Sequence, residues 1–310
     1  MDEYTTADYL HSLQNDKDTL ITNLGTQGIT GLTGDETFTE LVPKVLDIST
    51  GADLSDYFTS SITHTQIGTY IPSGIVGSLK KVPPMTLSGT DASSLFAYMS
   101  SLTTSPQIDL SNATNLSSLF YRCTSLTELS NVIFPSNFGI NSLTMSNAFQ
   151  YCSSLSGDLS SVNLYSQTFQ YAFNGCDHMT ISPTLHLRSG AYANLYGAFA
   201  DCTALTTIPN IEYNNYIQSM GMFCYNCVNL VNVPAISSSF INSSGLNDAF
   251  SNCPNLSNDS LNNILAMCTA ATNMSTKTLK KVGLSQSQAT TCTTLSNYAA
   301  FTNAGWTTGY

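Results

Sequence analysis

One unit recurs through the middle of this chain and constrains what it can fold into. It consists of a small or apolar residue, Phe, two variable residues, Cys, two more variable residues and an apolar residue. It reads Ala-Phe-Gln-Tyr-Cys-Ser-Ser-Leu at 148–155, Ala-Phe-Ala-Asp-Cys-Thr-Ala-Leu at 198–205 and Ala-Phe-Ser-Asn-Cys-Pro-Asn-Leu at 249–256. With the Cys as origin, the anchors are Cys123, Cys152, Cys176, Cys202, Cys227 and Cys253, and Met99 fills the place in a leading copy. Successive anchors are 24, 29, 24, 26, 25 and 26 residues apart. Self-similarity at this period is the mark of a solenoid, in which each unit buries its apolar side only against its neighbours.

Apolar residues cluster around each anchor. Seven residues before it stand Leu116, Met145, Phe169, Leu195, Met220 and Leu246; four before it stand Leu119, Ala148, Ala172, Ala198, Phe223 and Ala249. Phe96, Phe120, Phe149, Phe173, Phe199 and Phe250 lie three before it, and Leu or Met follows three after it. Offsets of 0, 3, 4, 7 and 10 fall on one face of a helix, so the spacing predicts a short helix with one buried side in every repeat. The expected core ladder is Phe120, Cys123, Phe149, Cys152, Phe173, Cys176, Phe199, Cys202, Cys227, Phe250 and Cys253. In the sixth copy Cys224 takes the Phe place and Phe223 moves one position earlier, while the 29-residue interval, with Phe134-Pro135 and Phe138-Gly139, implies a longer loop. Beyond the helix, Leu205-Thr-Thr-Ile208-Pro-Asn-Ile211 and Leu230-Val-Asn-Val233-Pro-Ala-Ile236 read as short extended segments, and stacked copies would pair as a parallel sheet.

The Ala-Phe-x-x-Cys-x-x-Leu units resemble the BspA-type leucine-rich repeats of bacterial surface adhesins, protist surfaces and phage-encoded proteins. The resemblance covers about residues 92–258. It implies an α/β solenoid, a right-handed superhelix of about seven repeats with a parallel sheet on one face and short helices on the other. Such repeats are display scaffolds, so the resemblance speaks to fold more than to function.

Both ends of a solenoid need closing. At the C-terminal end, residues 259–310 are expected to form a helical cap. Ser257 or Asn258 starts a helix carrying Leu261, Ile264, Leu265 and Cys268; Ser285 with Gln288 has capping-box spacing before Cys292, Leu295, Tyr298 and Phe301. Gly305 is the expected stop, and Trp306 suits closure of the last coil. At the other end, residues 1–50 read as a helical attachment module in which Tyr9, Leu10, Leu13, Leu20 and Leu24 share one face. That face either packs on its own hairpin partner, a second helix from 35 to 47, or assembles with other copies as a homo-oligomer. The segment Thr-Gly-Asp-Glu-Thr-Phe-Thr-Glu-Leu-Val-Pro-Lys-Val at 33–45 resembles N-terminal modules of virion and prophage-encoded proteins from phages of Firmicutes and related gut bacteria. This second resemblance implies attachment to other virion proteins through residues 1–50. Residues 51–91, with Gly74, Gly77, Pro83, Pro84 and Gly89, read as a linker that becomes the N-terminal cap.

Composition narrows the function classes. Charged residues make up 9 % of the chain and the net charge is -11. Within 92–258 the only basic residues are Arg122 and Arg188, so contact with nucleic-acid phosphates is not expected. Apolar runs long enough to span a membrane are absent, and the start Met-Asp-Glu-Tyr lacks the basic and apolar parts of a signal peptide. These features point to a virion protein assembled in the host cytoplasm, with a bacterial cell-surface location as the alternative. The nine cysteines read as reduced, small hydrophobic side chains; His11, His64, His178 and His186 are scattered, and no metal or cofactor is expected. Phosphate-cradling glycine loops and nucleophile elbows are missing from the sequence and its carboxylates are few and dispersed, so no catalytic residues are assigned and a non-enzymatic role is expected. The remaining surface is Ser, Thr, Asn and Tyr. Candidate ligand contacts are Tyr165, Tyr192, Tyr196, Tyr213 and Tyr216, whose rings beside uncharged hydrogen-bonding groups suit a host-surface glycan or protein. The expected function is host recognition or adhesion by a phage tail or capsid fibre or spike. The alternatives are a BspA-like bacterial adhesin binding a host protein and a purely structural virion decoration.

Overall fold

The computed structural model describes residues 77, 82, 84–87, 89–136, 143–188, 192–208, 211–212, 216–236, 239–240 and 245–310. Apart from Val82 these all belong to one of two compact units, Ser61–Lys80 with Pro84–Tyr310. The attachment-face residues Tyr9, Leu10, Leu13, Leu20 and Leu24 lie outside the described residues, as do the second expected helix and Tyr213.

From Asp91 onward the chain returns to the same backbone register once per repeat. Parallel bridges link Asp91 to Asn115, Asn115 to Thr144, Thr144 to Thr168 and Thr168 to Asn194. Those partners are 24, 29, 24 and 26 residues apart, the intervals that separate the anchors. Short strands extend the pairing. In chain order they are β1 Met85–Thr86, β2 Ile108–Asp109, β3 Val132–Ile133, β4 Gly157–Asp158, β5 Asn163–Ser166, β6 Met179–Ile181, β7 Thr184–Leu187, β8 Ala193–Asn194, β9 Ile211–Glu212, β10 Tyr216–Ser219 and β11 Ser239–Phe240. Every pairing among them is parallel. A single sheet along one face was the expectation, whereas the described strands form four short sheets: β1-β2-β3, β4-β6, β5-β7-β9 and β11-β10-β8. Proline is one cause of the division, since Pro183 separates β6 from β7 and has no N–H to carry a ladder onward.

The Ala-Phe-x-x-Cys segment is not an α-helix. It is a run of turns in which alternate amides face in different directions. In the coil anchored by Cys123, the N–H groups of Leu116, Ser118, Phe120 and Arg122 donate to carbonyls of the next coil at Thr144, Ser146, Ala148 and Gln150, over 2.7–2.9 Å. The N–H groups of Leu119, Tyr121 and Cys123 instead donate back three residues within their own coil. The same alternation holds in the coils anchored by Met99, Cys152, Cys176, Cys202 and Cys227. It requires left-handed backbone five and one residues before the anchor. Those places hold Ser94 and Tyr98, Ser118 and Arg122, Asn147 and Tyr151, Tyr171 and Gly175, Gly197 and Asp201, Met222 and Asn226, and Asp248 and Asn252, with φ between 53° and 73°. A left-handed L-residue costs roughly 1–2 kcal/mol, a cost offset here by amides that reach the neighbouring coil. Eight residues before the anchor, Asp91, Asn115, Thr168, Asn194 and Ser219 each accept the N–H two residues on, which satisfies the amide that the alternation leaves over.

Inside the coils the Phe rings follow one another. Phe96, Phe120, Phe149, Phe173 and Phe199 are fully buried, with successive centroids 5.0, 5.9, 5.0 and 5.6 Å apart and ring planes within 19° of parallel. Where Cys224 displaces the ring by one position, the pattern changes. Phe199 to Phe223 and Phe223 to Phe250 meet edge to face at 72° and 83°. In the long interval, Phe134 fills in against Phe149 at 6.0 Å. Beside the rings run the thiols, all of them unpaired and buried. Each anchor thiol donates its S–H to a carbonyl one coil back: Cys123 to Phe96, Cys152 to Phe120, Cys176 to Phe149, Cys202 to Phe173, Cys227 to Phe199 and Cys253 to Cys224, over 2.9–3.2 Å. Cys is the residue small enough for the gap between coils that also carries a weak donor for the carbonyl's second lone pair.

The last coil would leave its outward amides open. Helix α2, Leu279–Val282, meets two of them: Asp248 N–H donates to Lys281 O and Phe250 N–H to Val282 O, carbonyls that a helix C-terminus leaves free. Gly283 follows at φ 99°, with no room for a Cβ against the Ser251 backbone. Helix α1, Asn258–Ala270, is capped by the Ser257 side chain, and its Ser260 hydroxyl takes the N–H of Val233 while donating to Val231 O. The helix expected from Ser285 to Phe301 is two, α3 Gln286–Cys292 and α4 Tyr298–Asn303. Ser285 and Gln288 form a capping box, and the Gln288 amide also donates to Cys253 O at 2.7 Å. Trp306 is buried against Phe301.

Burial pushes the Cys123 thiol up to about 12 and Cys224 to about 11, and raises Cys152, Cys176, Cys202 and Cys227 well above the ordinary range. Folded thiols therefore hold their protons where unfolded thiols, near a pKa of about 8.5, release them. Their contribution is intact below that value and is lost as pH rises towards the folded values. Melting temperature measured across pH should be level up to about pH 8 and fall steadily above about pH 9, with a shallower fall in Cys202→Ala. Separately, Gly197 has φ 60°, and a Cβ there would stand 2.5 Å from the Tyr171 ring. Gly197→Ala should cost about 2 kcal/mol or more in urea denaturation, whereas Gly305→Ala, with open space around it, should cost less.

Candidate functional site

The five tyrosines singled out by sequence reach different environments. Tyr165, in β5, is half-buried and stacks on His186 of the next coil at 4.1 Å with planes 4° apart, while His186 Nε2 lies 2.9 Å from Asn163 Oδ1. That ring covers its neighbour. Tyr196 is also half-buried; its hydroxyl donates to Met222 Sδ at 3.1 Å, its edge meets Tyr171, and its ring closes over Gly221. Tyr192 and Tyr216 differ. They are 57 % and 44 % exposed and lie side by side at the starts of neighbouring strands, centroids 5.9 Å apart.

A second exposed cluster was not among the sequence candidates. One residue before the anchors of the first three coils stand Tyr98, Arg122 and Tyr151, joined by Tyr121. Tyr98 is 59 % and Tyr151 39 % exposed. Tyr121 meets Tyr98 edge-on at 5.3 Å and Tyr151 at 6.0 Å. Arg122 Nε donates to the Tyr121 hydroxyl at 3.1 Å, the main reason the guanidinium is held protonated even more firmly than usual, and the guanidinium lies 5.5 Å from the Tyr121 centroid and 5.3 Å from that of Tyr151. Aligning repeats on the Cys places all three residues in one column, a signal that was available in the sequence.

That column changes character along the stack. In the later coils it holds Asp201, Asn226 and Asn252, whose side chains satisfy one another: Asn252 donates to Asn226 at 2.5 Å and Asn226 to Asp201 at 3.0 Å. Asn174 donates to the same carboxylate at 3.2 Å. Elsewhere Asp109 and Asp158 are held below the ordinary carboxylate range by hydrogen bonds from Ser111 and Ser160. These acids shape turns. A cleft of about 350 Å³ between the last coil and the cap includes Lys280, Gln288 and Tyr310, but Gln288 is engaged on Cys253 and the Tyr310 hydroxyl on Leu284 O. Among the described residues no cluster of three His, Cys, Asp or Glu stands ready for a metal ion, and no helix is long and apolar enough to cross a membrane. With its thiols buried and protonated and its acids dispersed, the described surface is suited to binding through rings and uncharged hydrogen-bonding groups.

Neither a protein-family model nor a curated protein matches this chain.

Exposure separates the tyrosines into two energetic groups. Tyr192→Ser and Tyr216→Ser should each change unfolding free energy by less than about 0.5 kcal/mol, whereas Tyr196→Ser, which uncovers Gly221 and Met222, should cost about 1–3 kcal/mol by urea denaturation.

Proposed function

We propose that this chain is a leucine-rich-repeat solenoid of the BspA type that serves, without catalysis, as a fibre or spike on the tail or capsid of a bacteriophage. Residues 1–50 join it to other virion proteins, and its coils face the host cell. Backbone bridges that recur at the anchor intervals, with a continuous Phe and Cys interior, support the solenoid reading. The recognition role is carried by one observation: Tyr192 and Tyr216 stand exposed and adjacent on neighbouring coils. Rigid rings supply contact area with little loss of side-chain entropy, and the flanking hydroxyls and amides supply directional bonds to a host glycan or protein. The attachment role rests on the resemblance carried by residues 33–45.

Antibody raised against residues 92–258 should decorate purified particles in electron micrographs. Particles bearing Tyr192→Ser with Tyr216→Ser should assemble normally and adsorb to host cells roughly tenfold more slowly. Labelling confined to bacterial cell envelopes would contradict the virion assignment and favour the adhesin.

A further inference from the structure

We propose that the cluster of Tyr98, Tyr121, Arg122 and Tyr151 is a binding site for a carboxylate-bearing polysaccharide. The inference deepens the proposed recognition role and rests on it. Three observations converge on this ligand chemistry.

The first is charge. Arg122 and Arg188 are the only cations in the coils, set against seven carboxylates in the same span, Asp109, Glu128, Asp158, Asp177, Asp201, Glu212 and Asp248. Among the described residues Arg122 pairs with none of them. An exposed cation on coils that are otherwise acidic complements an anion that arrives from outside.

The second is geometry. A guanidinium presents five N–H donors, and here Nε is occupied by the Tyr121 hydroxyl. Its plane is held beside the Tyr121 and Tyr151 rings, so the side chain is ordered before any ligand arrives. Its terminal amino groups make no hydrogen bond to another described residue, which leaves the forked edge that matches a carboxylate in two parallel bonds. In the later coils the same column closes on itself through Asp201, Asn226 and Asn252. The first three coils leave it open.

The third is the shape of the surroundings. Tyr98, Tyr121 and Tyr151 form a ridge of rings along the stacking direction, with 5.3 and 6.0 Å between successive centroids. The rings are crossed rather than coplanar, at 81° and 62°, so the ridge offers separate apolar contacts to the C–H groups of successive sugar units. A neutral glycan would leave the guanidinium without a partner.

Purified protein would be titrated calorimetrically with oligogalacturonate, with a neutral oligogalactose of equal length and with oligoglutamate. Oligogalacturonate should bind, more weakly as salt is raised, and about tenfold or more tighter than either of the others. Arg122→Gln should lower its affinity about tenfold or more at an unchanged melting temperature. Arg122→Lys, which keeps the charge and loses the fork, should fall between, and Tyr98→Asn, which tolerates the left-handed backbone, should weaken binding without a change in salt dependence. Equal affinity for oligogalactose, unchanged binding in Arg122→Gln and Arg122→Lys, tighter binding of oligoglutamate, or no binding of any of the three overturns the proposal. Particle labelling by antibody does not depend on the sugar, so a virion protein with a different ligand would be recognised as such.

Discussion

The structure depends on how the backbone of each coil divides its amides between itself and the next coil. Around each anchor, one set of N–H groups turns inward to carbonyls three residues back, and the alternate set crosses to the following coil. Most amides of the segment are engaged within the protein, so coils can stack closely enough for Phe rings to lie 5–6 Å apart and for a thiol to reach a carbonyl of the preceding coil. The left-handed residues that this division demands are unfavourable one at a time and sustainable only as a series, because each gains its return from a neighbour built the same way. An isolated coil would have neither a buried side nor partners for half of its amides.

The same logic explains the C-terminal cap. Since the crossing amides of the anchor segments point towards higher residue numbers, that part of the stack ends in donors. A helix C-terminus is an edge of acceptors, and α2 supplies Lys281 O and Val282 O at the required positions. The Gln288 side chain completes the closure on Cys253 O while it caps α3. One short helix thus ends a ladder that would otherwise template pairing with another chain.

The period of the repeat, and the residues that form the interior, were legible in the sequence because burial forces Phe, Cys and Leu to recur at fixed offsets. The conformation of the segment was not. Spacings of three, four and seven arise from consecutive turns as readily as from a helix, and the left-handed positions carry Tyr98, Arg122, Tyr151, Tyr171 and Met222 alongside the expected Asn, Asp and Gly. The exposed tyrosines were only partly legible, because a ring's exposure is set by the coil that follows it. Tyr151 rests on Gly175, Tyr171 on Gly197 and Tyr196 on Gly221, each pair one repeat apart, whereas Tyr192 meets Tyr216 edge to face. A glycine one period beyond a tyrosine is the sequence signal for a covering ring, and it separates Tyr196 from Tyr192. The Arg122 cluster was hidden for a different reason: its members are set 24 and 29 residues apart and meet only when the repeats are stacked on their anchors.

Residue-resolved amide hydrogen exchange tests the alternating ladder most directly. The Phe120, Phe149, Phe173 and Phe199 amides, which reach across to the next coil, should exchange as slowly as the Cys amides three residues on, through global unfolding alone. Exchange of those Phe amides at the rate of unprotected peptide, with the Cys amides still protected, would contradict the ladder, because a helical turn or an isolated coil would protect only the latter.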